Sequence, residues 1–502
     1  MDEIKDVVLE YVVDEYVDED DDVEVTAETP LISSGLVDSF SMVSQGLPGE
    51  EVQDHDPRRG GHTSGVRHRQ FHRHAGSETL GLSGRRPMAY SDNTRALFTG
   101  EIEAIREKGL FKEKRFIWSP QDAEIEVEYP EGSGHEKVLN FCANNYLGLS
   151  SHPEVVKAAH DTLEARGYGM SSVRFICGTQ DIHRELQDRV SAFLGMEDTL
   201  LFPSCMDANA GVFEAILDKE DVIIADRLIH ASLVDGIRLC SAEYDTFKHM
   251  DMTHLRKKLE LHADKRHKLV VTDGVFSMDG DLAPLVEACD LCDEYGAMIL
   301  VDDSHGTGFI GKKGRGTHEH FGVMDRVDLI TTTFGKALGG ASGGCVSGHR
   351  ELVELCRQKA RPYLFSNSLS PVIVGATIRV IDLLSRSTER RDKLEANTKY
   401  FREEITKAGL NIRKGETPIV PVMLYNAKLA NDMARDMYAE GIYVIGFFFP
   451  VVPAGQARIR VQISAAHEVE HIDKCVAAFR KVGEKHGILG LDKQGIVEKY
   501  GL

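Results

Sequence analysis

The chain has 502 residues, 42% of them apolar and 28% charged, with a formal net charge of -21 at pH 7. That is the composition of a soluble folded protein, and the acidity argues against a nucleic-acid binder. No apolar run reaches the ~18 residues of a membrane-spanning helix, and at roughly 150 residues per domain the length allows two or three domains.

The first 45 residues stand apart. They hold 14 Asp and Glu against one Lys, so -13 of the net -21 lies here. Such a start fits neither a secretory signal nor an Arg-rich transit peptide. Within it, Thr29-Pro30-Leu31-Ile32-Ser33-Ser34-Gly35-Leu36-Val37-Asp38-Ser39-Phe40 resembles the first part of an acyl carrier protein, which implies a phosphopantetheine arm on Ser39. Residues 46–88 do not continue that pattern. They are rich in Gly and Arg and carry five histidines (His55, His62, His68, His72, His74). Back-translated and read one base out of frame, 51–67 looks like the later part of a carrier protein, so a frameshifted remnant is the preferred reading. Residues 1–88 are expected to be disordered, because half a carrier lacks the helices that would bury its core.

From about Met88 a regular α/β chain begins, with an N-terminal segment at 89–145. A helix is expected over 97–108. A second is bracketed by Ser151 as cap, Pro153 in the first turn and Gly167 at the end. Short apolar runs at 199–202, 222–225, 269–272, 298–301 and 329–333 then alternate with helical patterns. This alternation predicts an α/β fold with a mostly parallel sheet and flanking helices, here the large domain at 146–385. Beyond it, a helix at 390–408, short strands and a final helix suggest a smaller C-terminal α+β domain at 386–502. Nine cysteines are scattered. Cys289 and Cys292 form a CxxC without a second pair at zinc spacing, so no metal is expected. Reduced thiols in the cytoplasm are the expectation.

Ligands in such sheets bind beyond the carboxyl ends of the strands, and the unusual polar residues fall there. Lys336 follows the run 327–333 after a break at Gly335. A lysine buried at a strand end has a lowered pKa, which suits Schiff-base chemistry. Asp302 directly follows an apolar strand and needs a cationic partner, such as a protonated pyridine nitrogen. His305 is placed to reach such a ring's phenolic oxygen. His230 is placed to stack on a planar cofactor. Ser277 lies in the polar turn 272–280. The helix start at Ser204-Cys205-Met206 offers free N–H groups to a phosphate, with the Thr333 hydroxyl nearby. Each of these also has a plain structural explanation when taken alone: a loop histidine, an ion pair, a helix cap.

Four further stretches give the set its meaning: Phe141-Cys142-Ala143-Asn144-Asn145-Tyr146-Leu147-Gly148-Leu149, Ser172-Val173-Arg174-Phe175-Ile176-Cys177-Gly178-Thr179-Gln180-Asp181, Arg361-Pro362-Tyr363-Leu364-Phe365-Ser366-Asn367-Ser368 and Gly455-Gln456-Ala457-Arg458-Ile459-Arg460. With them the chain from about Met88 resembles the α-oxoamine synthases. These are fold-type I pyridoxal-phosphate enzymes that join an amino acid to an acyl thioester. It is most similar to the branch that condenses glycine with acetyl-CoA. The resemblance implies pyridoxal 5'-phosphate as cofactor, with Lys336 as its covalent anchor, Asp302 on the pyridine nitrogen and His305 and Ser277 on the ring's oxygen side. It implies His230 stacked on the ring, and Thr333 with the backbone of Cys205 and Met206 on the phosphate. Ser366 and Asn367 would reach the phosphate of a neighbouring subunit in a homodimer, and Asn144 and Arg460 would bind the amino acid carboxylate. The expected reaction is glycine plus acetyl-CoA giving 2-amino-3-oxobutyrate and CoA. Two alternatives stay open: a longer or carrier-bound acyl thioester as donor, and a carrier or docking role for Ser39.

Overall fold

The protein is described from a computed structural model that covers residues 90–107 and 111–501. The expectations for 1–45 and 46–88, including Ser39 and the histidine-rich tract, lie outside the described residues. Ile117–Glu128 and 134–501 form one compact unit. The remaining described residues, up to Phe116 and over Tyr129–Ser133, belong to a second. That unit contains a helix at Asp92–Glu107, five residues earlier in its start than expected and without a buried side chain.

The larger unit is built on a seven-stranded sheet: β1 (Asp198–Phe202), β2 (Val222–Asp226), β3 (Glu243–Phe247), β4 (Lys268–Asp273), β5 (Met298–Asp302), β6 (Leu329–Thr333) and β7 (Gly344–Gly348). Their order across the sheet is β1-β7-β6-β5-β4-β2-β3. Only β7 runs against its neighbours; β6, β5, β4, β2 and β3 are successively parallel. The apolar runs read from sequence are therefore strands of a mostly parallel sheet, buried on both faces, which is why they are continuous and not alternating. Alternate residues nevertheless part to opposite sides. Ile224, Val270, Ile299 and Ile330 enter one core, while Ile223, Val271, Leu300 and Leu329 enter the other. The second core is closed by helices Cys205–Ile216, Ala231–Leu239 and Arg350–Lys359, through Val212, Phe213, Leu233, Ile237 and Val353.

Two strands of this sheet escaped the sequence reading. β3 is an edge strand with only Asp245 and Phe247 buried, so it lacks an apolar run. β7 begins and ends in glycine, a residue that weakens strands. The glycines are required by close approach: a Cβ on Gly344 would lie 2.5 Å from Cys205 N, and one on Gly348 2.3 Å from Asp328 O. Helix Pro153–Arg166 has its predicted proline and Gly167 end, but its N-cap is His152. The expected cap, Ser151, instead donates its hydroxyl to Gln121 O at 3.0 Å. The helix expected at 390–408 spans Glu389–Lys407, and the chain closes with two helices, Val469–His486 and Lys493–Tyr500.

Between them, Ile419–Tyr425, Ala457–Gln462 and Gly446–Phe447 make a three-stranded antiparallel sheet. Arg458 fixes its distance from the large sheet. This fully buried guanidinium bonds Asp279 and Met278 O in the turn after β4. Arg460, two residues on and so on the same strand face, is thereby presented to the same turn, with Nη1 donating to Ser277 O at 2.8 Å.

Candidate active site

The sheet brings the polar strand ends into one place. Asp273 and Asp302 end β4 and β5 side by side in register, and Lys336 follows the end of β6 by three residues. Asp302 is 5% exposed and accepts from Ser304 N at 2.9 Å and from Asn209 Nδ2 at 2.8 Å. No cation pairs with it among the described residues. Lys336 makes no hydrogen bond or ion pair among them either. Burial pushes its pKa down, against the upward pull of Asp302, Cys205 and Asp273. A buried carboxylate without a cation is costly.

His305 is buried, and burial with the charges of Lys336 and Arg460 holds its pKa well below the usual histidine range. It is therefore neutral, and its tautomer follows from its neighbours. Tyr146 lies with its hydroxyl 2.8 Å from His305 Nδ1. Burial pushes the Tyr146 phenol strongly up, so it keeps its proton and donates. Gln462, with its amide turned to satisfy both ends, donates to Tyr146 at 3.1 Å and accepts from Arg460 Nε at 3.0 Å. The chain of donors leaves the His305 proton on Nε2. Arg460, 8% exposed, also lies over the Phe447 ring at 4.8 Å. The Asn144 amide sits 3.2 Å from the Gln462 amide oxygen, beside Arg460.

His230 caps helix Ala231–Leu239. Its backbone N–H is held by Asp273 Oδ1 at 3.1 Å, its Nδ1 is 2.7 Å from Ser232 Oγ, and the residue is exposed. Helix Cys205–Ile216 is capped by Ser204, whose hydroxyl accepts from Asp207 N. The N–H groups of Cys205 and Met206 thus stand in the first turn, where no intrahelical acceptor exists. Thr333 Oγ1 is engaged locally, accepting from Gly335 N at 3.0 Å and facing Gly343 O at 3.3 Å. Ser277 enters the site through its carbonyl, on Arg460. Ser366 and Asn367 follow helix Arg361–Phe365 and share no hydrogen bond with the other candidates.

These residues fit pyridoxal phosphate. The unpaired Asp302 carboxylate suits a protonated ring nitrogen, the Nε2–H of His305 suits an anionic ring oxygen, the helix start suits a phosphate, and the partly buried amine of Lys336 suits an aldehyde. Sequence reasoning missed Asn209, Ser232, Tyr146 and Gln462 as parts of the site. Tyr146 lies inside the quoted stretch 141–149 but carried no role there, and Asn209 stands out as a polar residue inside the small-residue run Ala208-Asn209-Ala210-Gly211.

Residues 136–479 match the class I and II aminotransferase family. The chain is 52% identical to the 2-amino-3-ketobutyrate coenzyme A ligase of Escherichia coli K12 over 393 residues, covering 78% of this chain and 98% of that protein. It is 53% identical to the mitochondrial protein of the same name from Homo sapiens over 406 residues, 81% and 96% of the two chains. Among solved structures, a lysine-to-alanine variant of serine palmitoyltransferase from S. paucimobilis with a bound PLP–myriocin aldimine superposes with a TM-score of 0.74 at 29% identity, over 79% of this chain and 99% of that one. The chain belongs to the class I and II aminotransferase family and has its fold-type I architecture.

Proposed function

We propose that the protein is a pyridoxal-phosphate-dependent acyltransferase that condenses glycine with acetyl-CoA to 2-amino-3-oxobutyrate and CoA. The observation that carries this reading is the near-complete correspondence with 2-amino-3-ketobutyrate coenzyme A ligases, 52% identical over 98% of the bacterial protein. Bound pyridoxal phosphate supplies an electron sink for charge developing on the α-carbon of glycine. Asp302 would take the ring nitrogen, His305 Nε2–H and the Ser277 hydroxyl the ring's oxygen side, His230 would lie against the ring, and Thr333 with the backbone N–H groups of Cys205 and Met206 would hold the phosphate. Arg460 and Asn144 hold the glycine carboxylate, the guanidinium offering a two-point grip, so that C–H and not C–carboxylate is the bond opened. Lys336 Nζ, favoured as a neutral amine by burial, takes the α-proton.

The protein works as a homodimer in this reading. Phe175, Ile176 and Phe365 are 63–69% exposed. Their segments are joined by the Val173–Asn367 bridge and the bond from Ser368 N to Ser172 O, which sets these exposed apolar residues on two neighbouring stretches of chain beside Ser366. The described residues contain no helix long and apolar enough to cross a membrane. All nine cysteines are free thiols, in keeping with a cytoplasmic enzyme.

A screen of donors and amino acids on the purified protein loaded with pyridoxal phosphate, following release of the donor's thiol (CoA or carrier), tests the reaction. Glycine with acetyl-CoA is expected to give the highest kcat/KM. A preference of tenfold or more for long-chain or carrier-bound thioesters, the alternative raised by the acidic first 45 residues, overturns it.

A further inference from the structure

Below the Asp302 carboxylate, one side-chain amide serves two groups at once. Asn209 is fully buried and donates from Nδ2 to Asp302 Oδ2 at 2.8 Å and to Ser232 Oγ at 2.9 Å. Having accepted that bond, the Ser232 hydroxyl turns its own proton to His230 Nδ1, 2.7 Å away. Ser232 N donates to the same ring nitrogen at 3.2 Å. All donors point one way, so the His230 proton sits on Nε2. The orientation of the amide is not arbitrary. Reversing it would aim the Asn209 oxygen at the Asp302 carboxylate. As placed, that oxygen has no donor, a cost that buried amides seldom carry. The contact depends on a close helix crossing: a Cβ on Gly236 would come within 2.1 Å of Asn209 O.

We infer that Asn209 is a positioning residue, which aims Asp302 as an acceptor toward the cofactor's ring nitrogen and, through Ser232, sets the orientation of the His230 imidazole. One amide thus couples the group under the ring nitrogen to the group over the ring face. The inference rests on the cofactor reading above, and it adds Asn209 and Ser232 to the site as residues that act through others.

The test uses the full chain loaded with pyridoxal phosphate, wild type against Asn209→Leu, Asn209→Ser, Ser232→Ala and Ser232→Thr. Four quantities are read: the pH midpoint of the bound cofactor's visible absorbance, kcat, KM for glycine, and the thermal midpoint. Asn209→Leu keeps the branched shape of the side chain and removes the donor. Its absorbance midpoint should move by about one pH unit and kcat should fall roughly 10- to 100-fold, the scale of lost supporting hydrogen bonds, with KM within about threefold. Ser232→Ala should move the same midpoint less, while Asn209→Ser, which supplies a hydroxyl donor in place of the amide, and Ser232→Thr, which keeps its hydroxyl, should recover part of each loss. Should Asn209→Leu fail to fold, Asn209→Ser and the two Ser232 variants carry the same titration. A wild-type band whose midpoint and kcat stay unchanged in the folded variants overturns the inference alone. A wild-type chain without a visible band overturns the cofactor reading, and this inference with it.

Discussion

Tyr146 and His305 show how a single proton position can be set from outside the reacting groups. The imidazole is neutral because it is buried near cations, and Tyr146 occupies Nδ1, so only Nε2–H is left to act as a donor. Tyr146→Phe removes that constraint without changing the packing volume much. We expect kcat to fall about tenfold, on the scale of lost supporting hydrogen bonds, with KM for glycine little altered. A kcat within twofold of wild type would show that the tautomer does not depend on the phenol. Lys336 is set by opposing effects of a similar kind: desolvation lowers its pKa while Asp302, Cys205 and Asp273 raise it. The net direction is down, which favours the neutral amine that proton removal requires.

At the scale of elements, His467 joins the strand His135–Asn140 to the turn after Ala457–Gln462. It is fully buried, donates from Nε2 to Asn140 O at 2.9 Å, accepts at Nδ1 from Ser464 N at 3.1 Å and stacks on Phe141 at 4.1 Å. Burial pushes its pKa down to about 4, with the Asn140 carbonyl opposing and His471 and Lys393 adding to the fall. The unfolded chain then binds a proton that the folded chain does not, between pH 6.5 and about 4. Stability from this group is fully present above pH 6.5 and is lost as pH falls through that window, by about 3 kcal/mol in all. Denaturant unfolding at pH 7 and pH 4.5 checks it: the acid loss in wild type should exceed that in His467→Gln. Equal losses would assign the acid sensitivity to other groups. The strands themselves were legible in sequence because parallel strands buried on both faces are short apolar runs. β7 was not legible, because what selects Gly344 and Gly348 is backbone approach from Ser204–Cys205 and Asp328, which no local pattern announces.

Across the whole molecule, the parallel sheet turns distance in sequence into proximity. Residues that end parallel strands share one edge, so Lys336, Asp302 and His230 could be grouped from the pattern alone. The supporting residues could not. Asn209 lies 93 positions from Asp302 and Tyr146 lies 159 from His305, and each reads locally as an ordinary buried helix or loop position. Arg460 illustrates the middle case. Its residue type and motif carried its expected role, whereas its presentation depends on Arg458 gripping Asp279 from another part of the chain.

In the proposed reaction Lys336 both anchors the cofactor and moves the substrate proton. The direct measurement is the visible absorbance and turnover of Lys336→Ala after incubation with pyridoxal phosphate, beside wild type. Wild type should show a visible band that survives gel filtration and should release CoA with glycine and acetyl-CoA, while Lys336→Ala should lose both the retained band and the turnover. A variant that keeps the band and turns over at the wild-type rate would contradict the account.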